Sequence, residues 1–169
     1  LLGQNQTHQQ TQRTTIMRNR LIAGFTLLSF MGLPFPALAL QAGSAKIEAS
    51  SGQVLTQNAD SSWSDASATA LTPGQVIRTG QDGQAILGFP GGDRVRLAAN
   101  SELRVVSSDS GKTDVYLHRG KLLGQASSHL NVETSKSKTS ASTGQFVLQT
   151  SATGAGLEVL DGNARLAAL

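Results

Sequence analysis

From Lys46 onward the chain never holds apolar residues at helical spacing for three turns. It alternates apolar and polar residues in short runs broken by Gly, Asp, Asn and Pro. That period of two, repeated run after run, restricts the fold to sheets. The runs predict strands at 46–49, 53–56, 75–79, 84–89, 94–98, 102–106, 114–118, 121–125, 130–134, 145–150, 156–160 and 163–167. The fold class expected is all-β: a two-layer sandwich or roll of short antiparallel strands with hairpin turns, or a solenoid-like stack of them.

Alternation also assigns faces. Ala85, Leu87 and Phe89 share one side of their strand, as do Val95 with Leu97, Leu103 with Val105, Val115 with Leu117, Phe146 with Leu148, and Leu157 with Val159. The intervening Gln84, Arg94, Arg96, Arg104, Asp114, Gln145, Gln149 and Glu158 face water, which marks sheets with one wet face. Pro90-Gly91-Gly92-Asp93 ends one strand and starts another, because proline cannot donate to a ladder and glycine accepts positive φ. Gly80-Gln81-Asp82-Gly83, Asp109-Ser110-Gly111 and Asp161-Gly162-Asn163 carry the same turn chemistry.

The N-terminal part reads differently. Residues 1–16, polar and rich in Gln and Thr, are expected to be a disordered upstream extension. Residues 17–39 have the three parts of a secretory signal peptide: basic Met17-Arg18-Asn19-Arg20, the apolar run Leu21 to Leu33, and small residues Ala37 and Ala39 before a cleavage point at Leu40. The run is short for a membrane span of about 20 residues, so cleavage is expected and an uncleaved anchor is the alternative. After cleavage no stable membrane span is expected, and the domain occupies 40–169 in the periplasm or outside a bacterial cell.

Charge changes meaning once the leader is set aside. Arg13, Arg18 and Arg20 precede Ala39, whereas all eleven acidic residues follow it, so the exported part is formally neutral and gives no reason to expect nucleic acid as a partner. With no cysteine, the domain has neither a disulfide framework nor a site for lipid attachment.

No pattern of catalytic residues emerges. Gly111-Lys112-Thr113 lacks the first glycine and the following helix of a phosphate loop, there is no nucleophile elbow, and His118 and His129 stand on different predicted elements. No catalytic residue, metal site or cofactor is expected. Four residues are candidates for binding. Trp63, in the polar stretch NADSSWSDAS, either stacks on a sugar ring or anchors a partner, or it folds back to cap one end of the core. Tyr116 faces away from Val115 and Leu117, beside arginines. Lys136 and Lys138 alternate with hydroxyl residues in TSKSKTSASTG, as an edge strand protected by lysine or a basic recognition loop.

The order of the pieces SSGQV, WSDASATALTPGQVIRTGQDGQAILGFPGGDRVRLAANSELRVV, VYLHRGKLLGQ, LNVETS, STGQFVLQT and LEVLDGNARLAA resembles the FecR domain family over nearly all of the domain. Gln75 stands where that family usually has Asp, Gly92-Asp93 replaces Asp-Gly, and Thr143-Gly144 reverses Gly-Thr; all three are turn positions. The resemblance implies a bacterial, exported, non-enzymatic binding or sensor domain whose partner is an envelope protein or envelope ligand. The anti-sigma activity of the best-known members uses a cytoplasmic helical segment and a membrane span ahead of the domain, and it is not carried over here. A carbohydrate or cell-wall binding module using Trp63 and Tyr116 is the alternative.

Overall fold

The computed structural model describes residues 43–66 and 70–169, and the leader and cleavage expectations lie outside them. No helix occurs among the described residues, so none is long and apolar enough to cross a membrane. The strands are β1 (Ala45–Ser51), β2 (Val54–Gln57), β3 (Trp63–Asp65), β4 (Ala70–Leu71), β5 (Val76–Thr79), β6 (Gln84–Gly88) and β7 (Arg94–Leu97). They continue as β8 (Glu102–Ser108), β9 (Thr113–Arg119), β10 (Lys121–Ala126), β11 (Leu130–Glu133), β12 (Ser137–Thr150) and β13 (Ala155–Ala168).

All thirteen belong to one sheet, ordered β3-β2-β5-β8-β9-β11-β12-β10-β7-β6-β1-β4, with β13 paired along β12. The sheet is open and curled like a half-barrel. One wing holds β4, β1, β6, β7 and β10; the other holds β3, β2, β5, β8, β9 and β11. Leu87, Val95 and Leu97 of the first wing and Ile77, Leu103, Val105, Val115 and Leu117 of the second join one buried cluster, completed by Phe146 and Leu148 of β12. The all-β expectation holds. Pairing is antiparallel except between β9 and β11, which run parallel from Leu130 opposite Thr113 to Glu133 opposite Tyr116.

The wings meet along a long ribbon. β10 lies against the second half of β12, from Lys121 opposite Gln149 to Ala126 opposite Gly144. β11 takes up where β10 ends, with Leu130 opposite Ala141 and Glu133 opposite Lys138. β12 therefore serves both wings, and it bends at their junction. Register shifts fall there on both sides of Gly144, and Gly144 and Gly162 face each other at φ 106° and 75°.

Asp93 fixes the same corner from the first wing. It is fully buried, and its Oδ1 accepts hydrogen bonds from the backbone N–H of Ser127 and Ser128 at 2.7 and 2.9 Å, while the Ser128 hydroxyl donates to Oδ2 at 2.8 Å. Those serines form the break between β10 and β11. The Gly-Gly hairpin expected before Asp93 is present, with Gly92 at φ 83° and the Phe89 N–H donating to the Asp93 carbonyl.

Three expectations need correction. TSKSKTSASTG is neither an edge strand nor a long loop: after a turn at 134–136 it becomes the interior strand β12, where Lys138 has Glu133 on one side and Ala167 on the other, and Ser137, Thr139 and Ala141 are buried. The strands expected at 156–160 and 163–167 are one, because Asp161-Gly162-Asn163 makes a bulged bend along β12 instead of a reversal. Val159, assigned to the core, is 43% exposed, because among the described residues no strand flanks β13 on its far side.

Candidate functional site

The outer face of the second wing carries two charged rows running across its strands. In the first, Trp63 of β3 lies beneath the Arg78 guanidinium, whose carbon is 4.1 Å from the ring centroid. Arg78 Nε donates to Glu102 Oε2 at 2.9 Å, and Arg119 Nη2 approaches the same oxygen at 3.4 Å. One carboxylate on β8 thus holds an arginine from each neighbouring strand, and the nearer arginine covers the indole. The expectation that Trp63 folds back to cap the core does not describe this. Its ring is half-buried and lies outside the core cluster, because β2 and β5 bring a cation to it.

The second row follows ladder positions from Arg104 to Tyr116, Glu133 and Lys138. Tyr116 is on the wet face beside an arginine, as expected, although its ring partner is His118 at 4.7 Å between centroids and 57° between planes. Partial burial pushes the His118 imidazole below its ordinary pKa, and the Arg104 charge adds to this against the opposing pull of Glu102. An Arg104→Gln variant should therefore titrate His118 at higher pH, which NMR of the imidazole protons measures directly; an unchanged midpoint would show that Arg104 does not act on it.

Beside this row is a shallow depression of about 220 Å³ lined by Val106, Lys112, Asp114, Asn131, Glu133 and Lys138. Burial pushes the Asp114 carboxyl up, but hydrogen bonds from Lys112, Asn131 and Ser107 and the Lys112 charge outweigh it and hold the group below its ordinary value. Asp114 is fully engaged, which suits a structural clasp between β9 and β11 more than a reactive acid.

The four candidate binding residues divide. Tyr116 and Lys138 share a ladder row, two strand steps apart. Trp63 is on the same face but four strands from Tyr116, roughly 19 Å at the usual strand spacing, so the two rings do not form one platform. Lys136 lies in the β11–β12 turn, where its Nζ donates to the Ala152 carbonyl at 2.8 Å and ties two turns together. Sequence reasoning missed Arg78, Glu102 and Arg119 as members of the face. Their positions near strand ends give no local signal, because the neighbours that group them come from non-local pairing.

Among the described residues no group of three or more His, Asp or Glu side chains is placed to hold a metal ion. The outer face presents aromatic rings together with Arg78 and Arg119, both held in position by the Glu102 carboxylate. Such a face suits contact with another macromolecule. Residues 75–165, more than half of the chain, match the family model described as FecR protein. Comparison with curated proteins finds no match.

Proposed function

The chain belongs to the FecR family, which points to an envelope-associated signalling or sensor module, and from that premise we propose that it is an exported, non-enzymatic binding module that recognises a protein of the bacterial envelope through the outer face of the second wing. The observation that carries the reading is the row Trp63, Arg78, Glu102 and Arg119. Tryptophan and arginine are the residue types that most often anchor interfaces, and here both are held in place before a partner arrives. A protein partner presenting an apolar edge and a carboxylate would find the indole edge and the Arg119 end of the row on one surface.

Affinity capture from a bacterial envelope extract, with mass spectrometry of bait and bound species, tests this. The bait should begin at Leu40 and retain a defined protein. Trp63→Ala should weaken that retention about tenfold or more, the range of an anchor residue, while changing the domain's stability by only about 1 kcal/mol for the lost cation–π contact. Retention unchanged by Trp63→Ala would remove this face as the binding surface. Glycan fragments bound without protein would favour the carbohydrate module, and turnover of ester, peptide or glycoside substrates would overturn the non-enzymatic reading.

A further inference from the structure

Strand β13 leaves a long side of the sheet open. The terminal strands β3 and β4 have three and two residues, too short to template much pairing. β13 has fourteen and, among the described residues, pairs only with β12, so its free edge runs about 45 Å. The register shift at Leu160 changes which residues face the core: Ala155, Leu157 and Val159 before it, then Ala164, Leu166 and Ala168 after it, opposite Thr150, Leu148, Phe146, Ala141, Thr139 and Ser137. Phe146, Leu148, Ala141 and Thr139 are buried, yet Val159 and Leu166 are 43% and 41% exposed. The row points toward the core and lacks cover on one flank. On the outer side, Glu158 and Arg165 form no ion pair among the described residues.

We infer that this edge is covered by the β13 edge of a second copy, paired antiparallel about a two-fold axis between Asp161 and Gly162. The sequence of the strand is its own complement in that register. Residues directly opposite in an antiparallel pair share a face, so the core-facing residues of the first half must meet those of the second half. Setting Leu157 opposite Leu166 puts Val159 opposite Ala164 and Ala155 opposite Ala168 on the core side. On the outer side it sets Glu158 opposite Arg165. The two-fold doubles each of these contacts. Moving the register by two residues either way sets Glu158 against Asn163 or Ala167 and loses the ion pairs. The bend at 160–163 stays outside the ladder and is shared by both copies, whereas a regular foreign strand would meet it as an irregularity.

Sedimentation equilibrium of the full chain tests the inference. Wild type should be a dimer whose dissociation constant rises about tenfold or more in Glu158→Arg and in Arg165→Glu, since each substitution replaces two opposite-charge contacts by two like-charge ones. The double variant E158R/R165E should restore the wild-type value. Both side chains are exposed, and circular dichroism should show the fold unchanged in all three variants. A monomer at every concentration reached would overturn the inference, and so would a dimer indifferent to the swaps. The variants lie on β13, seven strand steps from the Trp63 row on β3, so loss of dimer with Trp63-dependent partner capture intact separates this inference from the proposed function.

Discussion

Replacing Gly144 by alanine is expected to lower stability by about 4 kcal/mol, a large share of the roughly 5–15 kcal/mol that holds a domain together. Two effects add. Gly144 has φ 106°, where a side chain costs about 1–2 kcal/mol. An alanine Cβ there would also lie 2.1 Å from the Asp161 backbone oxygen, so β12 and β13 would have to separate at their shared bend and lose ladder hydrogen bonds worth about 1 kcal/mol each. Gly74 supplies the control. It has φ 93° but nothing within 4 Å of an added Cβ, so Gly74→Ala should cost only about 1 kcal/mol. Chemical denaturation of the two variants separates the close approach from the dihedral. Equal losses would mean that the Gly144–Gly162 crossing contributes nothing beyond conformation.

Asp93→Ala should cost about 3 kcal/mol, the second largest loss. The carboxylate accepts three hydrogen bonds in a buried site, and alanine leaves the N–H groups of Ser127 and Ser128 and one hydroxyl without it. An asparagine at this position would keep one acceptor oxygen and the side chain's shape, so Asp93→Asn should recover more than half of the loss. The position of the defect is as informative as its size. The break between β10 and β11 should exchange amide hydrogens faster in Asp93→Ala than in wild type, while β1 and β2 keep their protection relative to global unfolding. A uniform change would indicate that Asp93 only adds stability and does not pin this corner.

The sequence made the strands legible where alternation was strict. Leu87, Val95, Leu97, Leu103, Val105, Val115, Leu117, Phe146 and Leu148 were assigned to the core from period two alone, and all are buried. It was silent where the deciding contact is distant. Asp161-Gly162-Asn163 has the residues of a hairpin turn because a bulge also needs a glycine at positive φ, and only the continuous partner β12 decides between them. Asp93 followed two glycines and looked like turn chemistry, since nothing local shows that a loop 34 residues later donates to it. Lys136 and Lys138 suggested an edge because lysine commonly guards edges, but the alternating Ser137, Thr139 and Ala141 are small enough to pack inward beneath two neighbouring strands. Strands β3 and β4 escaped notice for want of length, and the row from Trp63 to Arg119 for want of any local signal of its order.

The route of the chain between the wings governs how the domain can come apart. β1 belongs to the first wing, β2 and β3 to the second, β4 to the first, β5 to the second, β6 and β7 to the first, β8 and β9 to the second, and β10 and β11 divide again. Neither wing is a contiguous stretch of polypeptide. A protease cut or a local melting event therefore cannot release one wing as a self-sufficient fragment, and a truncation from either end strips strands from both. The winding ties the two wings together, so each depends on strands that the chain reaches only by crossing the other.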